Sequence, residues 1–205
     1  AAIRGHKVTL CEGGQELGGS LLPAGAHDFK EDMNLLNRWY QTQLSKLGVA
    51  VEVNTKLDAQ AIQARKPQAV VLALGAEPVI PNVPGIHSPK VVDCVTALME
   101  KPDLGQNIVV VGGGVIGLEM ASYFATVGVE VTVIEMMDKI AGATDADICK
   151  VLMNEYGKRG MDFRLSCRVK KVNADSVTFE ENGKDVTVKC DSVLLSAGRR
   201  ANTAG

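Results

Sequence analysis

A glycine-rich turn between an apolar strand and a helix is the feature that most constrains the fold of this chain. An apolar run at residues 107–111 leads into three glycines with the spacing G-x-G-x-x-G: Gly112, Gly114 and Gly117. A helical pattern at 115–126 follows, and a second apolar strand at 129–135 ends in the acid Glu135. Glycines with this spacing are weak evidence alone, but between a strand and a helix they indicate a βαβ unit that binds a dinucleotide.

Each of the three glycines has a separate physical reason. Gly112 permits the tight turn out of the strand, and Gly117 lets the helix pack close to the sheet. Gly114 has no Cβ, so the backbone can approach a pyrophosphate, which then faces the N–H groups and the dipole of the helix. The alternative interpretation is a glycine-rich turn without a ligand.

Two acids complete the predicted site. Glu135, at the carboxyl end of its strand, is placed to accept hydrogen bonds from the adenosine ribose hydroxyls and to repel a 2′-phosphate. Met136 and Met137 offer no cation to such a phosphate, so we predict NAD rather than NADP. Glu119 has two interpretations that stay open: an acid that favours the helix N-terminus, or a carboxylate near the nicotinamide. The predicted NAD(H) site comprises Gly112, Gly113, Gly114, Val115, Ile116, Gly117, Glu119 and Glu135.

Hydrophobic periodicity predicts an α/β protein with a parallel sheet. A helix is expected from Asp28, with Asp28 and Glu31 forming a capping box. Residues 69–74 are predicted as a buried strand and residues 91–100 as a helix. Three short antiparallel strands between residues 167 and 190 form an insert, with Asn182-Gly183 as a hairpin turn. The helix from Asp28 is expected to bury one apolar face, formed by Phe29, Met33, Leu36, Tyr40, Leu44 and Leu47.

Charge and residue usage exclude several functions. The net charge of −2 favours neither nucleic acid nor an anionic membrane surface, and no apolar run is long enough to span a bilayer. No cysteine pair forms C-x-x-C or a zinc-type cluster, so no metal site is expected on this chain. Its five scattered cysteines fit a reducing, cytoplasmic compartment. The three histidines are unclustered, and no catalytic side chain is predicted.

Two segments of the chain repeat. AAIRGHKVTLCE at residues 1–12 aligns with FATVGVEVTVIE at 124–135, so that Glu12 matches Glu135. VVLALGAEP at 70–78 aligns with VLLSAGRRA at 193–201, each an apolar strand that reaches a glycine. The chain therefore contains parts of two dinucleotide-binding units.

With these marks the chain resembles the two-dinucleotide-binding flavoproteins, which include the pyridine nucleotide–disulfide reductases. The resemblance covers nearly the whole chain and implies an NAD-binding domain inserted into an incomplete FAD-binding domain of the same Rossmann-like type. It implies domains at residues 1–85 (FAD) and 86–200 (NAD), with 201–205 beginning a return to the FAD domain. It also implies that Gly198 adjoins NAD and that Gly75 and Gly198 mark the crossings between domains. The FAD-binding residues in the parent protein would be Glu12, Gly18, Gly19 and Gly75.

Two departures from that family narrow the resemblance. The segment after Leu17-Gly18-Gly19 lacks the redox C-x4-C of disulfide reductases, and is similar instead to the C-terminal region of old yellow enzyme-like NADH:flavin oxidoreductases of the 2,4-dienoyl-CoA and 2-enoate reductase types. That similarity implies FMN and a 4Fe–4S cluster upstream. The glycine fingerprint expected before Glu12 would fall before residue 1. We therefore expect a fragment of a larger flavoenzyme.

The expected function is an electron-input module that binds NADH and passes hydride to FAD, with the remainder of the flavoenzyme as its partner. In the parent protein the electrons would continue to the cluster and FMN for enoate-type reduction. One alternative is a fragment of a stand-alone NADH oxidase or diaphorase. Another is a nucleotide-binding module without turnover. The isolated chain is expected to be inactive.

Overall fold

The computed structural model describes residues 1–203, which form two compact units, Ala1–Gly75 and a second unit from Ala76 onward. The last two of residues 201–205, expected to begin the return to a FAD domain, lie outside the described residues. The division after Gly75 differs from the expected boundary after residue 85, because residues 76–78 pair with a strand of the second unit. The domain assignment itself stays a prediction.

The first unit has two paired parallel strands and three helices. Its elements are β1 (Thr9–Cys11), α1 (Leu21–Ala24), α2 (Glu31–Lys46), β2 (Ala50–Glu52) and α3 (Ala59–Arg65). The predicted capping box at Asp28 is wrong, because Asp28 lies in a 3-10 turn and α2 begins only at Glu31. Lys30 occupies the N-cap position of α2 and makes no side-chain capping bond.

Two further expectations for the first unit are wrong. Residues 69–74 form no strand, and Val71 is 88% exposed. A strand needs a neighbouring backbone to satisfy its N–H and C=O groups, and the sheet of this unit consists of β1 and β2. The apolar face of α2 is not buried either, since no residue of the helix is buried.

The second unit is built on a parallel sheet. Its elements are β3 (Ala76–Pro78), β4 (Val91–Asp93), α4 (Cys94–Met99), β5 (Asn107–Val111), α5 (Val115–Thr126), β6 (Glu130–Ile134), α6 (Ala146–Lys158), β7 (Asp162–Arg164), β8 (Arg168–Val172), β9 (Ser176–Glu181), β10 (Lys184–Lys189), β11 (Ser192–Leu195) and β12 (Arg199–Ala201). The predicted helix at 91–100 is wrong at its start, because its first three residues pair with β11 as β4.

The order of the parallel strands, β4-β11-β5-β6-β7, creates a crevice. From β5 the chain runs outward to β6 and β7, whereas β11 and β4 lie on the other side of β5. Ligands of open α/β sheets bind outside the carboxyl ends of the strands where the order reverses in this way. In this unit that point lies between β5 and β11.

Alternate side chains of β5 point to opposite faces of the sheet and pack in two different buried clusters. Ile108 and Val110 pack with α5 in one buried cluster. Val109 and Val111 pack in another cluster with β9, a strand of the antiparallel sheet β10-β9-β8. The sheet is thus covered on both sides, as a parallel sheet requires. The α/β class and the three-stranded antiparallel insert are confirmed.

Two short features complete the second unit. Asn182 and Gly183, between β9 and β10, both have positive φ, as expected for a two-residue hairpin turn. Strand β12 pairs antiparallel with β3. None of the helices that the structure describes is both long and apolar enough to cross a membrane.

Candidate functional site

The turn after β5 requires glycine at two positions for reasons within the chain. Gly112 has φ +107°, and a side chain there would overlap the carbonyl oxygen of Ser196. A side chain at Gly117 would overlap the carbonyl oxygen of Gly112, so α5 passes directly over the turn. Packing alone accounts for these two glycines.

Gly114 differs from both, because no protein atom lies within 4 Å of the position that a Cβ would take. Its backbone, with φ −70° and ψ 175°, suits any residue. The protein therefore gives no steric reason for glycine here. A ligand that approaches the backbone closely is such a reason, and a pyrophosphate at a helix N-terminus is the type of ligand that the motif predicts.

Helix α5 begins at this open position. Its N-cap is Gly114, and no side chain caps the helix. The N–H groups of the first turn, which include those of Val115 and Ile116, have no intrahelical acceptor. The Val115 side chain is 63% exposed. The helix thus presents donors and the positive end of its dipole at an open surface, which suits an anionic group.

The carboxylate of Glu135 lies directly against the glycine turn. Its Oε2 accepts a hydrogen bond from the N–H of Gly113 at 2.7 Å, and its Oε1 accepts one from the N–H of Met137 at 2.7 Å. Each carboxylate oxygen can accept more than one hydrogen bond, so acceptor capacity remains for two ribose hydroxyls. The side chains of Met136 and Met137 are exposed beside it. These residues fit an adenosine ribose.

Gly198 lies just beyond the end of β11, the neighbour of β5. The N–H of Ser196 donates to the carbonyl of Val111 at 2.8 Å, so the segment after β11 adjoins the turn after β5. Gly198 has φ +111°, and no atom lies near its Cβ position. The segments that follow β11, β5 and β6 therefore share one edge of the sheet.

Glu119 is exposed on α5 and lies beyond the first helical turn. Interaction with the helix dipole fades after that turn, which weakens the interpretation of this acid as a helix-end charge.

The residues expected to contact FAD lie in the first unit. Glu12 follows β1 as Glu135 follows β6, and its Oε1 accepts from the N–H of Gly14 at 2.7 Å. Gly18 has φ +139° and meets the side chain of Asn37, so packing explains this glycine. Gly19 and Gly75 also have positive φ but face open space. The residues predicted to bind FAD thus lie in the first unit, and those predicted to bind NAD(H) lie in the second unit.

Sequence patterns missed two contributors to the site in the second unit. Ser196 supplies the carbonyl that excludes a side chain at Gly112. Ala141, at φ +60°, donates its N–H to the carbonyl of Gly113 at 2.8 Å. Both act through backbone atoms, and an alanine with positive φ carries no signal in the sequence.

Across residues 1–203, no three His, Cys, Asp or Glu side chains converge in a way that could hold a metal ion. Two open clefts lie elsewhere: one of about 440 Å³ beside Val49, Val51 and Val53, and one of about 280 Å³ beside Ile86 and Leu195. The predicted dinucleotide site lies instead at the open carboxyl ends of the strands, which suits an elongated anion.

Known proteins resemble this chain over nearly its whole length. The family model described as pyridine nucleotide-disulphide oxidoreductase matches residues 1–205. The chain is 33% identical over 202 residues to the bilirubin reductase of Mediterraneibacter gnavus, covering 98% of this chain and 32% of that protein. It is 32% identical over 202 residues to the cinnamate reductase of Clostridium sporogenes, covering 97% of this chain and 30% of that protein.

A solved structure also resembles this chain over its whole length. A 2-naphthoyl-CoA reductase complex superposes with a TM-score of 0.84 at 31% identity, over 100% of this chain and 31% of that chain. The chain thus spans about a third of the length of the relatives that it matches.

Proposed function

The chain belongs to the pyridine nucleotide-disulphide oxidoreductase family, and from that premise we propose that it is the NADH-binding, electron-input module of a flavin-dependent oxidoreductase. The family implies both FAD and a nicotinamide dinucleotide as cofactors. The second unit would hold the dinucleotide. The first unit would contribute Glu12, Gly19 and Gly75 to FAD binding in the parent protein.

The open position at Gly114 is the observation that carries this proposal. Two fingerprint glycines are required by packing, but Gly114 faces no protein atom within 4 Å and begins a helix without a side-chain cap. A bound pyrophosphate explains why a residue with a side chain does not occupy this position.

Glu135 supports NADH over NADPH as the ligand. Its carboxylate is held by two backbone donors, at Gly113 and Met137, in a position where it would repel a 2′-phosphate. The nearest cationic side chain along the following loop, Lys139, donates to the carbonyl of Thr144 at 2.8 Å. It is therefore engaged within the loop.

The role of the protein is positioning. The dinucleotide, when bound, supplies a hydride for a flavin, and the chain's own residues orient it: Glu135 at the ribose, the α5 N-terminus at the phosphates, and Gly198 and Glu119 toward the nicotinamide half. This assignment requires no acid, base or nucleophile from the chain.

For the parent protein we propose reduction of an enoate-type substrate, with FMN and a 4Fe–4S cluster upstream. The names of two relatives, bilirubin reductase and cinnamate reductase, support a reductive direction. A stand-alone NADH oxidase or diaphorase is the alternative, and a nucleotide-binding module without turnover is another. Full-length protein assayed with NADH and cinnamate, and separately with NADH and oxygen, distinguishes the three.

Substitution at Gly114 tests the proposed binding site. Gly114→Ala places a methyl group in open space, so the fold and its melting temperature should be unchanged, while NADH binding should weaken at least about tenfold because the pyrophosphate loses its approach. Nicotinamide fluorescence of NADH titrated with the chain measures the dissociation constant.

Gly157→Ala is the matched control. Gly157 lies in α6, faces no atom within 4 Å, and lies in an ordinary helical backbone. This variant should bind NADH as the unsubstituted chain does and melt at the same or a slightly higher temperature. Unchanged NADH affinity in Gly114→Ala would contradict the proposed site, and absence of NADH binding by the unsubstituted chain would contradict the proposed function.

A further inference from the structure

The loop between β6 and α6, residues 135–145, makes hydrogen bonds to both the N–H and the carbonyl of Gly113 in the glycine turn. The N–H of Gly113 donates to Oε2 of Glu135 at 2.7 Å, at the start of the loop. The carbonyl of Gly113 accepts from the N–H of Ala141 at 2.8 Å, near the middle of the loop. The β6–α6 loop therefore sets the position of the turn relative to Glu135.

The thiol of Cys149 contacts the middle of this loop. Cys149 on α6 is 2% exposed, and its Sγ donates toward the carbonyl of Ile140 at 3.2 Å and faces that of Thr144 at 3.6 Å. Ile140 has no exposed surface, and it packs with Cys149 and with Leu118 of α5. Cys149 thus contacts the residue adjacent to Ala141 without reaching the dinucleotide site.

We propose that Cys149 is a positioning residue for the dinucleotide. Its thiol holds the β6–α6 loop in the position where Ala141 and Glu135 hydrogen-bond to Gly113. These bonds fix the Glu135 carboxylate, which accepts from the ribose, relative to the phosphate-binding turn. This proposal rests on the proposed NADH site. Without this role, Cys149 is a small buried residue of the core.

The expected effect follows from the geometry that a dinucleotide demands. NADH must reach the Glu135 carboxylate and the N-terminus of α5 at the same time, and such sites lose affinity when their parts move by a fraction of an ångström. The hydrogen bonds at Gly113 join the two parts directly. Loosening Ile140 releases Ala141, which makes one of those bonds.

The test compares three substitutions at one position. Cys149→Ala and Cys149→Val both remove the donor but change the volume differently, whereas Cys149→Ser keeps a donor. We expect the Ala and Val variants to bind NADH about fivefold more weakly than the unsubstituted chain, because a loosened loop must be ordered when NADH binds. The Ser variant should retain most of the affinity. NADH fluorescence titration and thermal melting are measured for each.

Cys190→Ala is the matched control, because Cys190 is also a buried free cysteine, 4% exposed, but precedes β11 at the opposite edge of the sheet. It should lower the melting temperature and leave NADH affinity unchanged. Equal NADH affinity in the unsubstituted chain and in Cys149→Val would overturn the proposal, as would an equal loss in Cys190→Ala. Failure of the unsubstituted chain to bind NADH would instead overturn the proposed function. If Cys149→Ala does not fold, the Val and Ser variants decide the question.

Discussion

The carboxylate of Glu135 accepts two backbone hydrogen bonds, each of 2.7 Å, from Gly113 and Met137. These bonds hold the side chain in one orientation before any ligand binds. A carboxylate held in this way selects a ribose with free hydroxyls, because charge repulsion disfavours a phosphate at the same place. Glu135 therefore orders the glycine turn, and in the proposed site the same carboxylate would discriminate between dinucleotides.

Replacing this carboxylate by an amide tests both roles. Glu135→Gln should weaken NADH binding about tenfold, since a charge-assisted hydrogen bond contributes more than a neutral one. NADPH binding should weaken less or improve, because the repulsion is removed. Competition between the two dinucleotides, followed by fluorescence, measures the ratio. Glu130→Gln, at the amino end of β6, is the control that should leave the ratio unchanged. Equal affinities of the unsubstituted chain for NADH and NADPH would contradict this role.

At the scale of elements, the amino ends of β5 and β11 are joined by one side chain. Oδ2 of Asp191 accepts from the N–H groups of Gln106 at 2.8 Å and Asn107 at 2.9 Å. These hydrogen bonds, first of all the one from Gln106, hold the pKa of Asp191 below its usual value of 3.8. The Asp191 hydrogen bonds thus stabilise the pairing of β5 and β11 at their amino ends. The predicted site lies at the carboxyl ends of the same two strands.

The lowered pKa fixes the sign of the pH dependence. The stabilising contribution of Asp191 is fully present above the unfolded pKa and is lost as pH falls from about 3.8 through the lower folded value. Asp191→Asn should therefore lower the melting temperature at neutral pH, and the difference from the unsubstituted chain should shrink below pH 3.8. Thermal melts across the acid range measure it. Asp138→Asn, at an exposed position, is the control for replacing a surface aspartate and should leave the melting temperature at neutral pH nearly unchanged. A pH-independent difference for Asp191→Asn would contradict the assignment.

At the scale of the whole molecule, the two units differ in their cores. The buried apolar residues that the structure describes all lie at or beyond Ile86, in the second unit. The first unit instead exposes large apolar side chains, including Phe29 at 73% and Trp39 at 54%. Little burial means little stabilisation of the first unit against local opening.

The single tryptophan of the chain reports on that difference. Trp39 lies in the first unit, so its fluorescence should change at lower urea concentration than the circular dichroism of the second unit. NADH should raise the midpoint of the second transition and leave the first unchanged, because a ligand stabilises only the unit that binds it. Coincident transitions that shift together with NADH would contradict this independence.

Local patterns in the sequence were sufficient for the central βαβ unit. The predicted β5 and α5 match the observed bounds, because an apolar run, a glycine turn and a helical period each act over a few residues. The hairpin turn at Asn182-Gly183 was predictable for the same reason. The resemblance to flavoproteins, which depended in part on the 112–117 glycines and Glu135, agrees with the family match.

Only the tertiary structure decided what depends on distant partners. Residues 69–74 have the apolar composition of a strand but form no strand. Val91–Asp93 were predicted as helical but form β4, which pairs with β11. The strand order that opens a crevice between β5 and β11 is likewise a matter of pairing across the chain. So are the two hydrogen bonds at Gly113, which join the turn after β5 to the Glu135 side chain and to the Ala141 backbone. The sequence determined which residues are predicted to bind a dinucleotide, because motif chemistry is local; the fold decided how they are held together, because hydrogen-bond partners remote in sequence meet only in three dimensions.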